Sequence, residues 1–332
     1  MLDSFNRTID YLRISITDRC NLRCMYCMPR GILPLSHGEI LSYEEILRIV
    51  RIMAPLGIRN VKITGGEPLV RRGAVELIGK VKRTAGIEKV TITSNGVLLL
   101  HYLDDILRAG VDGINLSLDT LDGETFGRIT GAGTDGPAAG RAFFSNIRSF
   151  LDRAGNLPVP VKINCVPIRG VNSGELAVIA GLAKNSGVFV RFIELMPLGC
   201  AAAFEGVPGR EIAALLETVY GPLEPCREKP GNGPASYYSI KGFAGKIGFI
   251  SPLSHNFCGS CNRLRLGSAG LLRPCLAYNT GLDLRALLRN GETDEGIARA
   301  ITALVAEKGQ GHDFFGVPYS PAECTEMFRI GG

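Results

Sequence analysis

The stretch Leu12-Arg13-Ile14-Ser15-Ile16-Thr17-Asp18-Arg19-Cys20-Asn21-Leu22-Arg23-Cys24-Met25-Tyr26-Cys27 decides the reading of the fold. Leu12–Ile16 is a short apolar run rich in isoleucine, a strand candidate, and it leads into a polar loop carrying three cysteines. Five further strand candidates follow: Val61–Thr64, Lys89–Thr93, Gly113–Leu118, Val159–Val166 and Val188–Ile193. Helical-period segments lie between them: Ser42–Leu56, Ala74–Ala85, Leu103–Ala109, Arg141–Ala154 and Glu175–Asn185. The first of these opens on a capping box, Ser42 with Glu45 three residues on. Six βα units in series predict a parallel sheet with right-handed crossovers, either doubly wound or curled towards a barrel. Beyond about residue 195 the rhythm breaks. Gly-, Pro- and Ala-rich loops at 199–209 and 221–235 precede a hairpin of Tyr237–Ile240 and Lys246–Ile250, a polar cysteine-bearing loop, and a helix near Glu295–Ala306.

The unusual polar motifs sit just after the strands. The cysteine loop follows the first, Gly65-Gly66-Glu67-Pro68 the second and Thr93-Ser94-Asn95-Gly96 the third. Ser117-Leu118-Asp119 ends the fourth, Asn164 ends the fifth, and Glu194-Leu195-Met196 follows the sixth. In parallel α/β sheets and barrels the site lies at the carboxyl ends of the strands, so six motifs share one rim.

The chain has 332 residues, 45% hydrophobic and 21% charged, enough for a substantial core. A formal charge of +5 suits an anionic small molecule, and the chain lacks the dense Lys/Arg runs of a nucleic-acid binder. No stretch reads as a membrane span and Met1–Thr8 carries no apolar signal region, so a cytoplasmic protein is expected. In that compartment disulfides rarely persist, and the ten cysteines need another use. Cys165, Cys200, Cys226 and Cys324 stand alone and read as small hydrophobes or incidental thiols. The other six form two triplets.

Cys20, Cys24 and Cys27 are spaced C-x3-C-x2-C. Thiolates select iron–sulfur clusters or zinc, and a closed zinc site wants a fourth ligand; the nearest histidine, His37, lies ten residues on. Three thiolates on a four-iron cube leave one iron open to a ligand. The spacing and its place resemble the radical S-adenosylmethionine superfamily. That resemblance implies that Cys20, Cys24 and Cys27 hold a 4Fe-4S cluster whose open iron takes S-adenosylmethionine, yielding a 5′-deoxyadenosyl radical. It places Tyr26 near the adenine and Gly66 at the methionine amino group.

Cys258-Gly259-Ser260-Cys261 and Cys275 form the second triplet, with Asn262-Arg263-Leu264-Arg265 between. Taken alone it also admits structural zinc, with His255 as fourth ligand. Arg263 and Arg265, two apart on an extended segment, project to one side as a fork for phosphate oxygens. Five segments together are similar to the GTP 3′,8-cyclase family of molybdenum cofactor biosynthesis. They are Tyr11–Cys20, Lys62–Pro68, Arg191–Met196, Phe257–Arg265 and the terminal Ile330-Gly331-Gly332.

This closer resemblance implies an incomplete (β/α)6 TIM-like barrel with a smaller C-terminal α+β domain closing the open side, divided as 1–231 and 232–332. It implies a second 4Fe-4S cluster on Cys258, Cys261 and Cys275 that holds the guanine. Gly66, Ser117, Met196 and Tyr26 contact S-adenosylmethionine. Arg13, Lys62, Thr93, Lys162, Arg191, Arg263, Leu264 and Arg265 bind or surround GTP. Lys62 stands where the family more often has arginine, and the loop Gly131–Gly140 follows the family poorly. Arg13 and the tail residues Gly331 and Gly332 assist catalysis. The implied partners are an electron donor and the next pathway enzyme, cyclic pyranopterin monophosphate synthase, with the chain a monomer or homodimer. A peptide- or protein-modifying radical enzyme with an auxiliary cluster, and a non-catalytic zinc module, are the alternatives.

Overall fold

A computed structural model describes residues 1–28, 34–132, 137–227, 231–278, 280–312 and 314, with the backbone alone at 137–139. The first half alternates as the sequence predicts. It runs β1 (Tyr11–Ser15), α1 (Tyr43–Met53), β2 (Asn60–Thr64), α2 (Ala74–Lys82), β3 (Lys89–Ser94), α3 (Leu99–Arg108) and β4 (Gly113–Ser117). Then come α4 (Gly123–Thr130), α5 (Pro137–Ala154), β5 (Val161–Cys165), α6 (Leu176–Gly181) and β6 (Phe189–Ile193). The expected capping box is present at α1: Ser42 Oγ accepts from the Glu45 amide, and the Glu45 carboxylate accepts from the Ser42 amide.

β1 to β6 are parallel and adjacent in chain order. Their residues alternate. Leu12, Ile14, Val61, Ile63, Val90, Ile92, Ile163 and Val190 are buried under the helices, whereas Arg13, Lys62, Thr91, Thr93, Lys162 and Arg191 point to the other face. A doubly wound sheet is apolar on both faces; this one is apolar on one. Successive helices also pack side by side, α1 on α2 and α2 on α3, as a single outer layer. β1 and β6 are five strands apart, about 24 Å on a flat sheet at 4.7–4.9 Å per strand. Yet Arg191 on β6 lies within electrostatic range of the Tyr11 side chain on β1 and depresses Lys62 on β2, so the sheet is curled and its polar face is a barrel interior.

The remaining elements are α7 (Gly209–Tyr220), β7 (Glu224–Pro225), β8 (Ser236–Ser239), β9 (Lys246–Ile250), β10 (Arg263–Leu266), β11 (Leu271–Arg273) and β12 (Leu282–Asp283), then α8 (Leu284–Arg289) and α9 (Asp294–Ala306). They extend both edges of the same sheet. β9 lies parallel beside β6 and carries the hairpin partner β8, while β10 lies parallel beside β1 and carries β11 and β12. The C-terminal third is thus hydrogen-bonded to both sides of the barrel opening. Among the described residues no helix is long and apolar enough to cross a membrane.

Candidate active site

The first triplet lies on the loop leaving β1. Two glycines press against it. A Cβ at Gly66 would stand 2.4 Å from the Arg19 carbonyl oxygen, and one at Gly65 2.7 Å from that of Thr17. The amides of Gly66 and Glu67 donate to those same carbonyls at 2.7 and 2.8 Å. Only glycine permits so close an approach, so the β2 loop is laced onto the cysteine loop through backbone. Glu67 is fully buried and carries the lacing onward. It accepts from the Leu69 amide, the Ser94 hydroxyl and the Asn95 amide at 3.1, 3.0 and 2.7 Å. Asn95 in turn donates to Asn21 and towards Cys20 Sγ. Burial pushes the Glu67 carboxyl up to about 7, against those three hydrogen bonds. On the other side the Tyr26 hydroxyl donates to Asp119 at 2.7 Å, and the Val166 amide does so at 2.8 Å; burial raises Asp119 to about 6.

The triplet gathers acidic groups in a low-dielectric setting. Burial, then the charges of Cys27, Asp119 and Cys20, pushes the Cys24 thiol well up, and burial brings Cys20 to about 11. Thiolates there need a multiply charged cationic partner, which an iron–sulfur cluster supplies. The second triplet converges likewise: Cys258 feels both Cys275 and Cys261. Among the described residues no three His, Cys, Asp or Glu side chains are drawn in to share one ion. His255, weighed as a fourth zinc ligand, has its Nδ1 3.3 Å from the Ser254 hydroxyl.

Between the triplets lies the barrel interior. In register across the sheet stand Arg265, Arg13, Lys62 and Thr91, with Arg273 opposite Arg265 and Tyr11 opposite Arg263. Lys162 pairs with Asn115 and Arg191 with Asn164. Arg191 is 5% exposed and donates to the side-chain oxygens of Asn164 (2.9 and 2.5 Å) and Asn115 (2.7 Å). None of Arg13, Lys62, Lys162, Arg191, Arg263 and Arg265 takes part in a described ion pair. Lys62 is held well below the ordinary lysine value by burial and then by Arg191, Arg13, Lys162 and Arg263. Burial and Arg191 bring Lys162 down to about 8, and burial and Arg263 bring Arg265 down to about 10. Arg13 Nε, Arg265 Nη1 and the hydroxyls of Thr91 and Thr93 are buried with no partner. Six cations and several orphaned donors fit a polyanion.

Two expected residues have neighbours that the sequence did not show. Leu264 is fully buried among the apolar side chains under the helices, because alternation on β10 turns it away from Arg263 and Arg265; its side chain offers the interior nothing. Met196, after β6, packs on a small separate cluster of Leu198, Leu276 and Phe314, which joins the rim to the residue after Cys275. Ser117 ends β4 on the inner face. Gly331, Gly332, Cys324 and residues 133–136 of the loop 131–140 lie outside the described residues. Sequence reasoning passed over Thr91, Asn115 and Arg273; strand alternation through Thr93 and Ser117 could have found the first two, whereas Arg273 is placed by the pairing of β11 with β10.

Comparison with known proteins agrees in both halves. Residues 14–183 match the family described as the Radical SAM superfamily, and residues 188–314 match Molybdenum Cofactor Synthesis C. The chain is 44% identical over 336 aligned positions to the GTP 3′,8-cyclase of Pelotomaculum thermopropionicum, covering 100% of both chains. It is 42% identical to that of Desulforamulus reducens, covering 94% of this chain and 95% of the relative. Among solved structures, Streptococcus suis SuiB bound to S-adenosylmethionine matches with a TM-score of 0.59 at 15% identity, over 92% of this chain and 73% of that one. At that identity the likeness is one of fold.

Proposed function

Because this chain belongs to the radical SAM superfamily and, within it, to the GTP 3′,8-cyclase family, we propose that it cyclises GTP to (8S)-3′,8-cyclo-7,8-dihydroguanosine 5′-triphosphate, the first step of molybdenum cofactor biosynthesis. The observation that carries the substrate is the barrel interior, where six buried or half-buried cations form no ion pair with any described carboxylate. A triphosphate brings several negative charges to a place where each is poorly screened.

In this reading Cys20, Cys24 and Cys27 hold one 4Fe-4S cluster and Cys258, Cys261 and Cys275 a second. The chemistry supplied by the first, with S-adenosylmethionine bound, is a 5′-deoxyadenosyl radical for hydrogen abstraction at ribose carbon 3′. The protein's own work is placement. Arg13, Lys62, Lys162, Arg191, Arg263 and Arg265 receive the triphosphate, and Thr91 and Thr93 offer hydroxyls beside it. Gly66, Tyr26, Ser117 and Met196 surround S-adenosylmethionine. The Met196–Leu198–Leu276–Phe314 cluster keeps water from the seam between the rim and the second triplet. Gly331 and Gly332 are assigned an assisting role, read out by deleting both.

The reading divides the chain at 1–231 and 232–332, places it in the cytoplasm, where thiols stay reduced, and calls for an electron donor and for hand-over to cyclic pyranopterin monophosphate synthase. The test is anaerobic reconstitution with iron and sulfide, then incubation with S-adenosylmethionine, a reductant and GTP. Both 5′-deoxyadenosine and a cyclised GTP product are expected. Deoxyadenosine without any GTP-derived product would sink the substrate assignment and leave the superfamily standing.

A further inference from the structure

The segment Lys308–His312, just after α9, wraps the second triplet. Lys308 is 3% exposed, and its ammonium donates to the carbonyls of Arg263 and Pro274. Those carbonyls belong to the two arms of the triplet: Arg263 lies two residues past Cys261, and Pro274 immediately precedes Cys275. Further along, the His312 backbone amide lies near enough to the Cys258 sulfur to favour its thiolate, and the Gly311 carbonyl accepts from the Tyr278 hydroxyl. One five-residue segment therefore touches both arms. The charge of Lys308 falls on Cys258 and Cys261. Among the described residues it takes part in no ion pair and its ammonium donates to carbonyl oxygens only, a costly arrangement without a nearby anion.

What fixes this segment comes from the other end of the chain. The Arg7 guanidinium, buried and paired with Asp3 at 2.6 Å, donates to the carbonyls of Lys308, Gly309 and Gln310 at 3.2, 2.7 and 3.0 Å. It also donates to the carbonyl of Cys258 at 2.8 Å. A planar fork with five donors can saturate so many carbonyls at once, and an ammonium cannot.

We propose that Lys308 is a positioning residue of the second cysteine centre, tying the two arms of the triplet together and holding a fixed positive charge beside the cluster. The inference rests on the assignment of an iron–sulfur cluster to that triplet. A fixed positive charge favours the more negative, reduced state of a cluster, so its removal drives the reduction potential down.

The experiment uses the full chain with Cys20, Cys24 and Cys27 all replaced by alanine, so that only the second centre takes up iron. This reference is compared with Lys308→Met and Lys308→Arg after anaerobic reconstitution. Iron and sulfide per chain are measured, together with the midpoint potential from an electron-paramagnetic-resonance redox titration. Lys308→Met is expected either to keep its iron at a more negative midpoint or to lose at least half of it. Lys308→Arg, which keeps the charge, is expected to retain the iron and return the midpoint towards the reference. Should Lys308→Met fail to fold, Lys308→Gln, which keeps a donor without the charge, is judged by the same two readouts. A neutral variant matching the reference in both overturns the inference, and so does an arginine variant as impaired as the neutral one. A reference chain that binds no iron overturns the cluster assignment itself, and this inference with it.

Discussion

Replacing Lys162 by methionine should make the free protein more stable and its hold on GTP weaker. Lys162 lies on the inner face of β5 with its ammonium against the backbone of Gly231, where a Cβ would come within 2.8 Å of Nζ. Burial, then Arg191 and Lys89, brings its pKa from the ordinary 10.5 to about 8. At about 1.4 kcal/mol per pH unit, that difference is about 3 kcal/mol of penalty for keeping the ammonium charged in the folded chain. The folded lysine releases its proton near pH 8 while the unfolded one holds it to 10.5, so the penalty is full below pH 8 and fades between 8 and 10.5. Methionine keeps most of the stem and removes the charge. With an unfolding entropy of about 2.1 cal/mol/K per residue over 332 residues, a gain of about 3 kcal/mol raises Tm by about 4 °C. That gain should be read at pH 7 by circular dichroism and should shrink at pH 9.5. In the same variant a charge-assisted phosphate contact worth about 1.5–3 kcal/mol is lost, about 10- to 100-fold in GTP affinity by calorimetry. In the parent, GTP affinity should decline as pH rises through 8, and in the variant that dependence should flatten. A variant less stable than the parent at pH 7, or a gain that grows with pH, would refute the claim that the interior is charged for a ligand at the expense of the fold.

Three further outcomes follow from the same geometry. Gly66→Ala forces a Cβ to within 2.4 Å of the Arg19 carbonyl, an overpacking of about 1–3 kcal/mol; with the second triplet removed, iron per chain should fall, and an undiminished iron content would show that the close approach is dispensable. Arg265→Ala should weaken GTP binding about tenfold or more and leave iron content unchanged, whereas loss of both would make the arginine a structural element. The Glu67 carboxyl, at about 7 against an ordinary 4.5, is protonated more readily folded than unfolded. The parent should therefore lose about 3 kcal/mol of stability relative to Glu67→Gln as pH rises from 4.5 to 7, and a flat difference in urea midpoints would contradict the burial assigned to it.

Much of the fold was legible along the chain because parallel strands and their helices are written in local apolar runs and caps. The six strand candidates match β1 to β6 within a residue or two, and the Ser42–Glu45 box stands where it was read. The helix Gly209–Tyr220 and the strands β10 to β12 were not read. Arg263-Leu264-Arg265 reads as an extended segment within a polar loop, and it is a sheet strand because the edge of β1 pairs with it. Leu264 shows the same limit at one residue. The family resemblance grouped it with Arg263 and Arg265, and the pleat sends its side chain to the opposite face.

The sequence by itself showed the groups that carry the chemistry: two cysteine triplets at metal-binding spacing, a glycine pair and a rim of polar motifs after the strands. Residue identity and short spacing suffice for that, since each triplet is nearly local. Only the tertiary structure decided that the sheet curls and that both of its edges are finished by the C-terminal third. The same folding draws Arg13, Lys62, Lys162, Arg191, Arg263 and Arg265 into one interior, and brings Arg7 and Lys308 together across three hundred positions. Those contacts depend on sheet register and closure, which a period-two pattern permits in many arrangements and fixes in none.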